Sequence, residues 1–373
     1  MLPHHTALPH VKGRGSGLNL QGRFESEQRL GFDDGWEQRD EEAKAPRKTV
    51  IHIEPVKSTL VFNQSPDLGF DRSINTYRGC EHGCIYCYAR PNHSYIGLSP
   101  GLDFETQIFA KKEAASYLRK ELAKLGYQCA PVNIGSSTDA YQPADRELAI
   151  TRQVLQVLEQ CNHPLSIVTK SWLVERDIDI LSRMAKRNLV AVYISVTSLD
   201  AELSRKMEPR ASAPWRRLET IRRLTQAGIP VSVSLAPVIP FINEPEIEKI
   251  LQAAKEAGAV GAHYVVVRLP WEVKTLFRDW LLEHFPDRAE RVMHRIQEMR
   301  GGKDNDSRFV SRMKGEGIWA ELIRMRFQST AKHLDLWRKR IPLDRSQFNA
   351  DALRVELELA KTRAINQGQA ELF

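Results

Sequence analysis

The chain has 373 residues, enough for one large α/β domain with appendages or for two domains. Hydrophobic residues make up 42% of it and charged residues 27%, which excludes collagen-like, coiled-coil and wholly disordered classes. No apolar run approaches the roughly 18 residues of a membrane span, and residues 1–17 lack the apolar stretch of a secretory signal, so we expect a cytoplasmic protein with no membrane partner.

The first 48 residues are predicted to form a flexible arm, because glycine, proline and a dense run of charges leave no sustained apolar period. Further along, short β-rich runs alternate with amphipathic ones. Strands are expected at 50–53, 73–77, 131–135, 165–170, 189–196, 229–238 and 263–267, and helices at 113–124, 148–158, 174–186, 215–227 and 246–257. Strands joined by such helices imply right-handed βαβ units, and six units predict a partial (β/α)6 barrel with reactive groups at the carboxyl ends of its strands.

Beyond residue 270 the pattern becomes helical. Helices are expected at 271–285, 288–299 and 352–365. Residues 271–345 hold 17 Lys and Arg against 12 Asp and Glu, which places most of the net charge of +7 in this region. We therefore divide the chain into a flexible arm, a barrel core, a basic helical appendage and a terminal helix with a tail, at 1–48, 49–270, 271–350 and 351–373.

Three of the five cysteines lie close together on a predicted loop that follows a strand. Cys80, Cys84 and Cys87 have the spacing C-x3-C-x2-C, and thiolates this close can bind one soft metal centre. One alternative is a structural zinc site, whose fourth ligand would be His82, His93 or a distant cysteine. The other is an iron–sulfur cubane on three thiolates, which leaves its fourth iron open to an external ligand.

The cysteine spacing resembles the motif of the radical S-adenosylmethionine superfamily, which has an aromatic residue before the last cysteine, here Tyr86. The resemblance covers about residues 70–270. It implies that Cys80, Cys84 and Cys87 hold a 4Fe–4S cluster, that S-adenosylmethionine is the second cofactor, and that Tyr86 flanks its adenine. In that superfamily the cluster, reduced by an external one-electron donor, cleaves S-adenosylmethionine to a deoxyadenosyl radical.

Within the superfamily, the chain is most similar to a bacterial subgroup of unknown substrate related to spore photoproduct lyase. The matching segments are 65–67, 75–80, 87–90, 137–143, 169–171 and 208–210. The resemblance also suggests residues that bind S-adenosylmethionine. All of them except Arg210 lie at or near a predicted strand end. A methionine carboxylate needs a cation, and the polar groups need hydroxyl or carboxylate partners. Lys170, with Thr138 and Ser195, resembles the set that binds the carboxylate in the lyase, and Asp139 and Arg210 are further candidates. The alternative for each is a solvated polar residue at a strand end.

Tyr88 follows the last cysteine, where the lyase family has a tyrosine implicated in relaying a hydrogen atom. The resemblance makes Tyr88 a catalytic candidate, and the alternative is an aromatic ring that only packs. The lyase has a hydrogen-donating cysteine where this chain has Ser136, and a serine hydroxyl is a poor hydrogen-atom donor. The resemblance therefore does not imply that this chain relays a hydrogen atom in the same way as the lyase. Cys129 and Cys161 are interpreted as structural.

Two features suggest macromolecular partners. The cations of the appendage, interspersed with aromatic rings, could follow a phosphate backbone and stack bases, although a solvated basic helix face explains them too. The last residues resemble the peptide by which bacterial repair and replication proteins bind the sliding clamp, with Gln369, Leu372 and Phe373 as the defining positions; a frayed helix end is the alternative.

Our hypothesis is a lyase-like radical enzyme acting on a nucleic acid, in DNA repair. The alternatives are a radical enzyme acting on a protein or a small metabolite, and a non-catalytic module that binds zinc or nucleic acid.

Overall fold

A computed structural model describes residues 13–24, 48–337 and 341–370. The strands are β1 (Val50–Ile53), β2 (Leu60–Phe62), β3 (Arg72–Ile74), β4 (Tyr77–Arg78), β5 (Gln107–Ala110), β6 (Val132–Ile134), β7 (Leu165–Thr169), β8 (Val190–Ser195), β9 (Val231–Val238) and β10 (Gly261–Val266). The helices are α1 (Leu102–Thr106), α2 (Ala114–Leu122), α3 (Asp145–Leu148), α4 (Ile150–Gln160), α5 (Ile178–Ala185), α6 (Ala201–Met207), α7 (Pro214–Gln226), α8 (Ile247–Glu256), α9 (Val273–His284), α10 (Pro286–Glu298), α11 (Ser311–Lys314), α12 (Gly317–His333) and α13 (Asp351–Ala370).

Seven strands form one sheet in the order β10-β9-β8-β7-β6-β3-β2. The six strands from β10 to β3 are parallel, and β2 adds an antiparallel edge. The predicted partial barrel of six parallel strands is confirmed. In the described part of the chain β2 and β10 do not pair with each other, so the barrel is open.

The sheet curves until its two edges approach. Asp67 lies between β2 and β3 at one edge, and Arg312 lies in α11, beyond the opposite edge strand β10. Arg312 Nε donates to Asp67 Oδ2 over 2.6 Å, and the Val310 N–H donates to the same oxygen over 3.1 Å. We call the Asp67–Arg312 ion pair the edge clasp, because it joins the two sides of the open barrel.

The helices cover the sheet because their apolar residues recur every three or four positions. In α4, for example, Ile150, Val154 and Leu158 are all buried. Strand β8 is buried along most of its length, as expected for a parallel strand with protein on both faces. The carboxyl ends of these strands all open on one side, where a barrel carries its site.

Residues 13–24 form an N-terminal strap. Flexibility was predicted throughout 1–48, of which 1–12 and 25–47 lie outside the described residues. The strap itself is packed, with Leu18 and Leu20 buried against the rest of the protein. A second sheet, in the order β1-β5-β4, lies beside it and leads through β4 into the cysteines.

Several boundaries differ from the prediction. The helix expected at 174–186 begins as a 3-10 turn, Trp172–Asp177, and the strand expected at 73–77 is divided into β3 and β4. Helices α6 and α12 were not predicted. Gln369 lies in the backbone of α13, while Leu372 and Phe373 of the clamp-like peptide lie outside the described residues. Among the helices of the described segments, none is long and apolar enough to cross a membrane.

Candidate active site at the carboxyl ends of the strands

The cysteine loop, residues 80–87, begins after β4 and lies under the barrel mouth. Cys80 and Cys84 are buried and Cys87 is half-buried. Cys87 packs against the apolar group that contains Cys84 and also against the group that contains Cys80, so it lies between them. Burial raises the pKa of Cys80 and of Cys84, and their neighbouring thiols raise both further. A metal centre that binds such thiols must displace their protons.

The donor set fits an iron–sulfur cluster better than a structural zinc ion. His82 Nδ1 lies 3.3 Å from Asp139 Oδ2, and His93 Nε2 lies 3.0 Å from the Gln107 carbonyl oxygen. Each of the two histidines that could complete a zinc site therefore has one of its ring nitrogens engaged by a protein group. Over the described ranges, no three His, Cys, Asp or Glu side chains surround one metal-ion position. A cubane does not require this, because each thiolate binds a different iron.

One buried ion pair holds the cysteine loop from the side of the strap. Arg90 is fully buried and donates to the carbonyls of Gly83 and Cys84, at 3.1 and 2.9 Å. The same guanidinium pairs with Glu105, which is also fully buried and accepts from the Gly15 N–H over 2.9 Å. A Cβ on Gly15 would lie 1.7 Å from the Gly83 carbonyl oxygen, so only glycine permits this approach. This support was not predicted from the sequence.

A second buried network fixes Tyr86 on the opposite side of the loop. The Tyr86 phenol donates to Glu208, which is paired with Arg217 and accepts from Thr197 Oγ1 over 2.8 Å. Burial raises the pKa of Glu208, and the Arg217 guanidinium opposes that shift. Lys170 Nζ lies 5.8 Å from the centre of the Tyr86 ring. The structure therefore brings these two predicted cofactor-binding residues together.

Asp139 connects three segments of the site. Its carboxylate accepts from Thr169 Oγ1 over 2.7 Å and from the Lys170 N–H over 2.8 Å, and it faces His82 of the cysteine loop. Burial opposes ionisation, but His82 and these donors hold the pKa of Asp139 at about 2. The ionised side chain is thus committed to protein groups.

Thr138, Ser195 and Arg210 also lie around the loop. Thr138 Oγ1 donates to the Gly79 carbonyl over 2.6 Å, and Arg210 Nη2 donates to Glu81 Oε1 over 3.1 Å. Ser195 is the buried last residue of β8. Arg210 therefore touches the cysteine loop itself and Thr138 touches the residue directly before it, while Ser195 lies at a strand end as predicted.

Tyr88 lies across the barrel mouth. Its phenol donates to the carbonyl of Ser136, which follows β6, and its ring centre is 5.2 Å from Arg268 Cζ, beyond β10. The residue is 49% exposed, and desolvation by the protein on its covered side raises the pKa of Tyr88 to about 12. Ser136 is therefore a direct neighbour of Tyr88. Arg268 was not among the predicted site residues, although a cation directly after an apolar strand was a usable signal.

Most cations of the appendage are paired inside the protein. Arg308 pairs with Asp306 at 3.0 Å and Arg326 with Glu248 at 2.8 Å. This pairing favours the solvated-helix alternative for these residues. Arg291 of α10 differs, since it is exposed and its Cζ lies 4.0 Å from the centre of the Phe241 ring.

The open barrel of six parallel strands, with three thiols on a loop at the carboxyl ends, defines a protein built to hold a thiolate-ligated iron–sulfur cluster. A family model described as the Radical SAM superfamily matches residues 74–254. The chain belongs to this superfamily and is a radical S-adenosylmethionine enzyme whose cofactors are a 4Fe–4S cluster and S-adenosylmethionine.

The similarity to individual proteins covers more of the chain than the segment that the family model matches. The chain is 33% identical over 253 residues to an uncharacterized protein of Mycobacterium tuberculosis, covering 66% of this chain and 74% of that protein. It is 23% identical over 245 residues to an uncharacterized protein of Methanocaldococcus jannaschii, covering 66% and 88%. Among solved structures, spore photoproduct lyase complexed with dinucleoside spore photoproduct shares the fold, with a TM-score of 0.55 and 15% identity over 76% of this chain and 79% of that one.

Proposed function

We propose that this enzyme holds its cluster on Cys80, Cys84 and Cys87 and abstracts a hydrogen atom from a nucleic acid at the barrel mouth. The cluster, when bound and reduced, supplies the electron that cleaves S-adenosylmethionine to a deoxyadenosyl radical. The observation that carries the proposal is the cysteine loop, whose three thiols lie close to one another at the carboxyl ends of the strands, with Tyr88 directly after the last of them.

The residues around the loop divide into binding and positioning groups. Lys170 has no acidic partner among the described residues, so its ammonium is available for the methionine carboxylate, with Ser195 beside it. Tyr86 flanks the adenine, held by its bond to Glu208. Thr138, Asp139 and Arg210 act as positioning residues, because their polar atoms already bind the cysteine loop or its neighbours.

Aromatic rings stacked with arginine support a nucleic-acid substrate. Beside the mouth, Trp172 has Arg216 Cζ at 5.0 Å and Arg146 Cζ at 5.7 Å from its ring centre. Arg216 is paired with Glu175 at 2.6 Å, whereas the exposed Arg146 forms no ion pair within the described residues and is the cation available to a phosphate. Trp215 nearby in the chain is 67% exposed. Cations that attract phosphates and rings that stack bases are the usual surface for single-stranded nucleic acid. The lyase whose fold this chain shares binds a dinucleoside photoproduct, which extends the proposal to DNA repair.

The substrate is tested with anaerobically reconstituted protein, S-adenosylmethionine and dithionite. Damaged DNA, RNA and protein extracts are supplied in parallel, each uniformly deuterated. A nucleic-acid substrate should increase deoxyadenosine formation and transfer deuterium into it, and binding should weaken as salt rises. Deuterium transfer from the protein extract alone would establish the protein-acting alternative, and a colourless zinc-containing protein would establish the non-catalytic one.

The remaining partners stay predictions. An external one-electron donor is required to reduce the cluster. Removal of Leu372 and Phe373 should abolish binding to a bacterial sliding clamp, and unchanged binding would eliminate the clamp peptide.

A further inference from the structure

Four cations gather behind Tyr88 at the carboxyl end of β10. They are Arg268, Arg300, Arg312 and Lys314. Arg300 is a structural anchor, because it is 2% exposed and donates to the carbonyls of Val267 and Ser311, each over 2.7 Å.

Two more of these cations have partners within the protein. Arg312 forms the edge clasp with Asp67. Lys314 Nζ donates to the Tyr264 carbonyl over 2.6 Å and lies 3.5 Å from the centre of the Tyr264 ring. Both side chains therefore contribute to the packing of α11 against the barrel.

Arg268 is different. Its hydrogen bond is to Met313 Sδ over 3.6 Å, and thioether sulfur is a weak acceptor. Its Nε atom is buried without a hydrogen-bond partner, and no carboxylate in the described ranges forms an ion pair with it. Burial lowers the pKa of Arg268, Arg312 lowers it further, and Tyr88 and Asp67 oppose the shift. An unpaired and largely buried guanidinium reduces the stability of the fold.

The local charge leaves this guanidinium without compensation. Asp67 is already bound by Arg312, and the neighbouring acids Asp306 and Glu316 are both paired with Arg308, each at 3.0 Å. The surroundings of Arg268 therefore carry an excess of positive charge, and each neighbouring carboxylate is already paired with another arginine.

We propose that Arg268 binds a phosphodiester of the nucleic-acid substrate and so places the adjoining nucleoside on the ring of Tyr88. Within the described residues Arg268 Nη2 has no hydrogen-bond partner, so it can donate to a phosphate oxygen even though the neighbouring Nε is buried. The ring 5.2 Å away supplies the stacking surface for a base. This inference rests on the proposed function and names the group by which the substrate is held.

The change in melting temperature on substitution distinguishes a binding role for Arg268 from a structural one. Arg268→Met removes an unpaired buried charge, so we expect the melting temperature to stay level or rise. Arg300→Met leaves carbonyls without their donor, so its melting temperature should fall. A fall for Arg268→Met as large as that for Arg300→Met would overturn the proposal.

Binding is measured on the anaerobic holoprotein with S-adenosylmethionine. The probes are thymidylyl-(3′→5′)-thymidine, its uncharged methylphosphonate analogue and inorganic phosphate. The wild type should bind the diester about 10-fold more tightly than the neutral analogue, since hydrogen bonds to a charged group are worth at least that ratio. Arg268→Met should lose this preference, whereas Lys303→Met, which removes an exposed cation of the same appendage, should keep it.

Two results contradict the inference. One is a preference for the charged diester that survives in Arg268→Met. The other is inorganic phosphate binding as tightly as the diester, which would make this a free-anion site. Deoxyadenosine formation by the wild type in the same samples reports separately on the proposed function.

Discussion

The substitution Glu105→Gln tests whether the strap and the cysteine loop depend on one buried ion pair. Glu105 and Arg90 are both fully buried. The amide can still accept a hydrogen bond from Gly15 or Ser16, but it leaves the Arg90 guanidinium as an uncompensated buried charge. Breaking a buried pair by removing one partner costs about 3–5 kcal/mol.

That loss is large compared with a total stability of about 5–15 kcal/mol. The substitution also leaves Arg90, which holds the loop carbonyls, without its partner. We expect Glu105→Gln to lower the free energy of unfolding by about 3–5 kcal/mol in urea denaturation of the apoprotein. Iron bound per chain after anaerobic reconstitution should fall with it, because Arg90 holds the carbonyls of Gly83 and Cys84.

The matched control is Glu113→Gln, at an exposed position. We expect this control to stay within about 0.5 kcal/mol of the wild type. A Glu105→Gln protein that loses less than about 1 kcal/mol and binds iron normally would refute the assigned role of the pair.

Three further predictions address the strap, a buried lysine and the edge clasp. Gly15→Ala should destabilise the apoprotein by about 1–3 kcal/mol in urea, because its Cβ would overlap the Gly83 carbonyl oxygen; an unchanged midpoint argues against the close approach. Burial lowers the pKa of Lys314 to about 8, so the folded state holds fewer protons than the unfolded state between about pH 8 and 10.5. The wild type should therefore gain up to about 3 kcal/mol relative to Lys314→Met as pH rises through that window, and a pH-independent difference would exclude the shift. In a double-mutant cycle, Asp67→Asn and Arg312→Met should couple by more than about 1 kcal/mol, and additive effects would mean that the clasp is not formed.

The regular part of the barrel was predictable because local pattern and tertiary environment agree. The β7 and β8 runs are apolar enough for strands buried on both faces, and the helices between strands carry one apolar stripe. The cysteine spacing identified the loop for the same reason, since its chemistry is local in sequence. Lys170 and Ser195 followed from the family resemblance together with their places at strand ends.

The supports of the site were not predictable because they join residues distant in sequence. The glycines around Gly15 were interpreted as flexibility, whereas Gly15 serves a close approach to Gly83. Glu208 was noted only as part of a family segment, and its bond to Tyr86 spans 122 positions. The partner of Asp67 is 245 positions away, across the opening of the barrel.

The central claim is that Cys80, Cys84 and Cys87 hold the cluster that cleaves S-adenosylmethionine. The most direct measurement is deoxyadenosine formed by anaerobically reconstituted, dithionite-reduced protein, compared between the wild type, Cys84→Ala and Cys161→Ala. We predict deoxyadenosine from the wild type and from Cys161→Ala, whose thiol lies in the barrel core, and none from Cys84→Ala. Wild-type protein that takes up iron and never forms deoxyadenosine, or a Cys84→Ala protein that still forms it, would contradict the claim.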